Sequence, residues 1–216
     1  MLSIKIPMLK VKIATLLILL VSWGGFAQNF QPVSDPDKIR AALKKASSTA
    51  TSIQAEFHEE KFLTVLKEPI KSSGVFYYQK NDKMRWEQRN PVSYVILING
   101  DRFRVQEAGK EKNVGQAGRM AVQVRELMMG LVNGDFQDNK AFKQTLSENV
   151  LHYQVTLVPL NKRLKSIYSK IDLVFGKNTL RLKELTFYQK DGDRSVMKFT
   201  NEKINQSIAE ILFEKL

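Results

Sequence analysis

The run Gly74–Pro91, GVFYYQKNDKMRWEQRNP, constrains the fold more than any other part of the chain. Two aromatic-rich segments flank Lys80-Asn81-Asp82-Lys83, a pattern that predicts a β-hairpin. A strand with one wet face should alternate apolar with polar residues. Met84-Arg85-Trp86-Glu87 does so, whereas Val75-Phe76-Tyr77-Tyr78 is apolar on both sides. The first strand therefore needs cover on two faces.

The remainder of the chain predicts more strands of this kind and few helices. Asp35 is a candidate N-cap with Pro36 in the first helical position, and Ile39, Ala42, Leu43 and Ala46 follow at helical spacing. Ser47 to Ser52 ends that helix, and Ile53 to Phe62 reads as a strand. Tyr94 to Ile98 is a strand buried on both faces that turns at Asn99-Gly100, so that Arg102 to Gln106 pairs back. Gly109 to Gly118 reads as a loop. Met120, Val124, Leu127, Met128 and Leu131 then recur at helical spacing, and Val122, Met129 and Val132 widen their apolar face. A second short helix is expected over Lys140 to Leu146. Strands follow at Leu151 to Leu160, Tyr168 to Phe175, Leu180 to Gln189 and Ser195 to Thr200, with Asp191-Gly192 closing the last hairpin. This order predicts an α+β fold, an antiparallel sheet with helices on one side.

The N-terminus reads as an export signal. Lys5, Lys10 and Lys12 precede the apolar run Ile13–Val21, and Gly25 and Ala27 are small residues suited to signal peptidase. The expected division is a cleaved signal peptide over 1–27 and one domain over 28–216. The apolar run falls short of the ~18–20 residues that a spanning helix needs. The expected mature chain carries 31 basic and 22 acidic residues, against a net charge of +12 for the whole sequence. Export and the scattering of Lys and Arg argue against nucleic acid and leave a basic solvated surface or a membrane-surface role.

Catalytic and metal-binding constellations are scarce. The chain has no cysteine and two histidines, His58 and His152, in separate predicted strands. Glu59 and Glu60 are adjacent in a strand and so point to opposite faces. Asp191 and Asp193 lie in a turn, where carboxylates satisfy backbone groups. Gly115-Gln116-Ala117-Gly118 lacks the spacing of a phosphate loop. No catalytic residue, metal site or cofactor is expected. The apolar surplus, with Met84, Met120, Met128 and Met129, suits either a plain core between sheet and helices or a cavity for variable acyl chains.

A family resemblance bears on that choice. The order Phe57, Lys61, Leu66, Pro69-Ile70-Lys71-Ser72-Ser73-Gly74-Val75-Phe76-Tyr77-Tyr78, Lys83-Met84-Arg85-Trp86-Glu87 and Asn90-Pro91 resembles the LolA family of outer-membrane lipoprotein carrier proteins. Val95 to Gly100, Leu157 to Leu160, Asp191 to Asn201 and Asn205 continue the likeness, which runs from about residue 38 to 213. The resemblance implies an incomplete, open antiparallel β-barrel with a helical lid over an apolar cavity. It implies a periplasmic carrier that shields lipoprotein acyl chains between the inner and outer membranes. Its partners would be acylated lipoproteins, an inner-membrane ABC-type exporter and an outer-membrane acceptor, with the carrier acting as a monomer.

On that basis the second face of the sheet meets lipid chains, and the expected cavity residues are Phe57, Phe76, Tyr78, Met84, Trp86 and Ile96. Alternation puts Phe76 and Tyr78 on one face and Met84 and Trp86 on one face across the turn. For residues 94–98 both parities are apolar and alternation does not choose. Met120, Val124, Leu127, Met128 and Leu131 would form the lid. Lys80 stands where family members carry an arginine that latches the lid, and a lysine lacks that planar fork of donors. The chain ends at Leu216, short of the C-terminal extension of some members. A lipid or envelope-stress sensor on the same barrel, a carrier of another lipid, and an enzyme with a dispersed site are the competing readings.

Overall fold

A computed structural model describes residues 29–113, 129–130 and 141–216. One antiparallel sheet of twelve strands dominates it: β1 Gln31–Pro32, β2 Ser52–Phe62, β3 Ile70–Gln79, β4 Lys83–Asn90, β5 Tyr94–Asn99, β6 Arg102–Glu107, β7 Lys110–Lys112, β8 Phe142–Glu148, β9 His152–Pro159, β10 Tyr168–Gly176, β11 Leu182–Gln189 and β12 Arg194–Ile204. Their spatial order is β1-β8-β9-β10-β11-β12-β2-β3-β4-β5-β6-β7. Among the described residues β1 and β7 are the two edges, and the sheet is not closed into a barrel. Nearly every neighbour is a sequence neighbour joined by a short turn. The exceptions are β1 beside β8, where the N-terminal strand meets the middle of the chain, and β12 beside β2, where the last strand pairs with one of the first.

Helix α1, Pro36–Ser48, starts as its sequence requires. The Asp35 carboxylate accepts from the Lys38 amide at 3.1 Å, and Pro36 occupies the first turn. Its stripe turns Leu43 fully into the core, with Ile39 packed beside it. A second helix, α2, Lys162–Ile167, begins at Asn161, whose side chain accepts from the Leu164 amide. At the β3–β4 turn, Asn81 and Asp82 take φ of 72° and 57°, a conformation that Asn and Asp tolerate better than most residues.

The core lies on one face of the sheet, here the inner face. It joins Phe57, Phe76, Tyr78, Met84, Trp86 and Ile98 to Leu157, Ile171, Leu173, Leu185 and Phe199. Gly74 is fixed there by a close approach of β4: a Cβ would meet the Glu87 carbonyl oxygen at 2.0 Å. The sheet bends at this point, where the β3–β4 register shifts between Ser73 and Gly74.

Two expectations change. Of the helix expected over Lys140 to Leu146, the described residues 141–146 are not helical; Phe142–Glu148 is strand β8, paired with β9 from Phe142↔Pro159 to Glu148↔Tyr153. Phe142 and Leu146 fit a period of two as well as a helical one, and pairing with β9 decided between them. Within the expected loop 109–118, Lys110–Lys112 pairs with β6 as β7. The other apolar face of β3 is covered from within the chain: Val75 and Tyr77 point to the outer face, where they enclose Phe213 with Ile208 and Leu212.

That cover is the chain's own C-terminal segment. After β12 the Asn205 side chain accepts from the Thr51 amide and hydroxyl, and the chain crosses to the outer face. There Glu210–Phe213 makes one 3-10 turn. Arg85 donates to the carbonyls of Leu212 (3.3 Å) and Lys215 (2.6 Å), Asn99 to Phe213 (3.1 Å) and Arg104 to Glu214 (3.1 Å). Outward-pointing residues of β4, β5 and β6 thus supply donors to a backbone that has no strand partner. Phe213 has no exposed surface.

Candidate functional site

The inner face is organised by strand alternation carried across register. Phe57 on β2 lies opposite Phe199 on β12, and Ala55 opposite Phe76 on β3. Phe76 and Tyr78 then face Trp86 and Met84 on β4, which face Ile96 and Ile98 on β5. The open choice at residues 94–98 is thereby settled: Ile96 and Ile98 point inward, and Val95 and Leu97 outward. Trp86 sits at the centre, its ring stacked on Phe57 at 4.0 Å, tilted to Phe76 at 6.1 Å and edge-on to Phe199 at 6.4 Å.

Two cavities open on this face, and Trp86 lines both. The first, of about 80 Å³, lies under the C-terminal end of α1. Ile53, Ala55, Phe76, Phe175, Leu185 and Phe199 make most of its wall, with Ser47, Arg181 and Glu202 as polar members. Its wall draws on six successive strands from β10 to β4. Flat, those strands would span about 24 Å at 4.7–4.9 Å spacing, so the sheet must curve around the cavity. The second, of about 260 Å³, is lined by Met84, Trp86, Ile96, Phe187 and Met197, and by Glu59, Lys61, Tyr168, Gln189 and Ser195. The mostly apolar wall of the first space and the Met84, Trp86, Ile96, Phe187 and Met197 side of the second favour methylene chains over water.

The sequence-chosen residues fall as follows. Phe76, Met84, Trp86 and Ile96 line one cavity or the other. Phe57 and Tyr78 lie in the same core cluster but outside both linings. Met120, Val124, Leu127, Met128 and Leu131 lie outside the described residues, while Met129 packs into the core cluster. The Lys80 ammonium donates to the Ser48 carbonyl at 2.7 Å, at the C-terminal end of α1. Arg181 donates to the Ala46 carbonyl at 3.1 Å, so two cations meet the carbonyl end of one helix.

Sequence reasoning missed the far wall, Phe175, Leu182, Leu185 and Phe199, and the polar group Glu59, Lys61 and Ser195. Counting back and forth from Phe57 by twos would have put Ile53, Ala55, Glu59 and Lys61 on the inner face. The β12 residues needed the β2–β12 register as well. Glu59 and Glu60 do point to opposite faces. Glu59 accepts from the hydroxyls of Ser72 (2.8 Å) and Ser195, whereas Glu60 lies 3.4 Å from Lys71. Burial pushes the Tyr168 phenol above its ordinary pKa. Among the described residues no three His, Asp or Glu side chains converge as metal ligands would.

An open, curved antiparallel sheet with an apolar groove on its inner face defines the half-barrel class to which this molecule belongs. Within that class, residues 48–215 match the model of the outer membrane lipoprotein carrier protein LolA, and the chain belongs to the LolA family. It is 26% identical over 208 residues to the outer-membrane lipoprotein carrier protein of Coxiella burnetii, covering 95% of this chain and 93% of that one. Similar solved structures include a LolA superfamily protein from Nitrosomonas europaea (14% identity, TM-score 0.42, covering 82% of this chain and 96% of that one). Another is the MucB structure (13%, 0.46, 84% and 62%), and a third the Mycobacterium tuberculosis lipoprotein LppX (12%, 0.45, 81% and 99%).

Proposed function

We propose that this protein is a periplasmic carrier that shields the acyl chains of lipoproteins and moves them from the inner to the outer membrane. The observation that carries the reading is the groove, walled by apolar side chains from β10 round to β5, in a chain of the LolA family. Each methylene removed from water is worth about 0.8 kcal/mol, so a polyacylated anchor cannot cross an aqueous compartment unshielded. The open sheet of the described residues would let such a groove take up long chains and release them. On this reading residues 1–27 direct export and are removed. An inner-membrane ABC-type exporter loads the groove, and an outer-membrane acceptor empties it. The protein works as a carrier rather than an enzyme, and as a monomer.

Native mass spectrometry of the mature protein, taken from its own periplasm without detergent, tests the cargo directly. A triacylated lipoprotein bound one to one is the expected result; a free lipid alone would move the protein to another shuttle or a sensor. Ile96→Glu supplies a second check, since Ile96 is only partly buried and the substitution sets a charge on the groove wall. Uptake of a fluorescent acyl probe should fall at least tenfold while the far-ultraviolet circular dichroism stays unchanged. Lys80 is the proposed latch, acting through the end of α1. Lys80→Ala should speed probe release severalfold and raise amide exchange near residues 45–49, with thermal stability within about 0.5 kcal/mol of wild type.

A further inference from the structure

The two cavities that share Trp86 differ in chemistry, and that difference bears on which lipids the groove accepts. The smaller is apolar apart from Ser47, Arg181 and Glu202, and two of these are engaged elsewhere: Arg181 with the Ala46 carbonyl, Glu202 with Lys183 at 3.0 Å. The larger gathers Glu59, Lys61, Tyr168, Gln189 and Ser195 beside Met84, Ile96 and Met197. An amphiphile in the groove therefore has an apolar end near α1 and a polar end near the β2–β3 and β11–β12 turns.

The polar end has a fixed charge and a loose one. Both carboxylate oxygens of Glu59 accept hydroxyl bonds, from Ser72 on β3 and Ser195 on β12, so the charge is held in place from both sides. Lys61, two residues on and on the same face, is exposed at the strand end. Water screens an exposed ammonium, while the half-buried, immobilised carboxylate keeps more of its field. Of the two charges on this wall, Glu59 is the one whose field a lipid head meets less screened. Tyr168, Gln189 and Lys61 still offer donors to a carbonyl oxygen.

We propose that Glu59 is a specificity residue which makes the larger cavity a site for uncharged, ester-linked acyl heads and turns away free fatty-acid carboxylates. This rests on the carrier reading above and names the class of head group that reading leaves open. An ester carbonyl accepts from the donors without bringing a charge to the carboxylate. A free carboxylate accepts the same bonds but brings a like charge beside the held Glu59 carboxylate, which is screened by water from one side only.

The test is competition against one fluorescent acyl probe on the mature protein, comparing palmitate with methyl palmitate at pH 7.5. Wild type should prefer the ester over the acid. Glu59→Gln, which keeps shape and an acceptor oxygen, should tighten palmitate about tenfold and leave methyl palmitate within twofold. Lys61→Ala, at an exposed position, should weaken palmitate further, which guards against a Glu59 variant that fails to fold. An unchanged acid-to-ester ratio in folded Glu59→Gln, or a Lys61→Ala protein that gains palmitate affinity, overturns the specificity role while leaving the carrier reading intact. Displacement of the probe by neither lipid would instead overturn the carrier reading, and this inference with it.

Discussion

The outer face of the sheet is solved in two different ways along its length. Across β9, β10 and β11 it is polar and self-sufficient. Asp172 is buried there between Thr156, which donates at 2.6 Å, and Lys170, also at 2.6 Å, with Thr186 and Glu184 in contact alongside. Across β3 to β6 the same face carries Val75, Tyr77 and Leu97, and the buried guanidinium of Arg85. That half is completed by residues 208–215, brought from the far end of the chain. One half satisfies itself with partners two residues or one strand away; the other is covered by a segment that lies beyond the last strand. A doubly apolar strand in a carrier fold is therefore not by itself a sign of cargo, because part of its surplus is answered within the chain.

The largest expected break in this contrast is Phe213→Ala. Removing a fully buried aromatic ring typically costs about 3–5 kcal/mol, and here it also loosens the carbonyls that Arg85 and Asn99 hold. Urea denaturation should show that loss, with acyl-probe affinity nearly unchanged because the groove lies on the other face. On the self-sufficient half, Asp172→Asn keeps an acceptor for Thr156 and gives up the charge opposite Lys170, which is partly exposed. A loss of only about 1 kcal/mol in the same assay is expected. If Asp172→Asn proved as costly as Phe213→Ala, the two halves would not differ in the way described.

A smaller effect is expected from pH. Burial alone would raise the Glu87 pKa, but hydrogen bonds and the charges of Arg85 and Arg89 outweigh it and hold the carboxyl below its ordinary value of 4.5. A depressed carboxylate stabilises the fold above its unfolded pKa, and that contribution is lost as pH falls through the folded value. Amide exchange over residues 208–215 should therefore be flat from pH 7 to about 5, after correction for intrinsic rates, and rise below about 4. Glu87→Gln should remove most of the step. An equal step at the Asp172 cluster would show general acid loosening instead.

Much of the fold was legible because its signals are local. Asp35-Pro36 started α1, the Asn81-Asp82 turn set the β3–β4 hairpin, and alternation at Met84 and Trp86 identified a groove-lining face. The strand at Phe142–Glu148 was misread because seven residues with two large apolar side chains satisfy both periods, and only β9 distinguishes them. Within the candidate site, Phe76, Met84, Trp86 and Ile96 were found from the near wall. Phe175, Leu185 and Phe199 were not, because nothing local says which strands will stand opposite.

What the sequence determined by itself is the set of elements and which residues of each could share a face, since φ/ψ preference, capping and a period of two act over a few residues. The tertiary structure alone decided which of those faces became the groove and which became the seat of Phe213. It also decided that Glu59 would be held by serines from the two neighbouring strands. Those outcomes depend on register between strands distant in sequence, and a one-residue slip in register would turn every side chain to the opposite face.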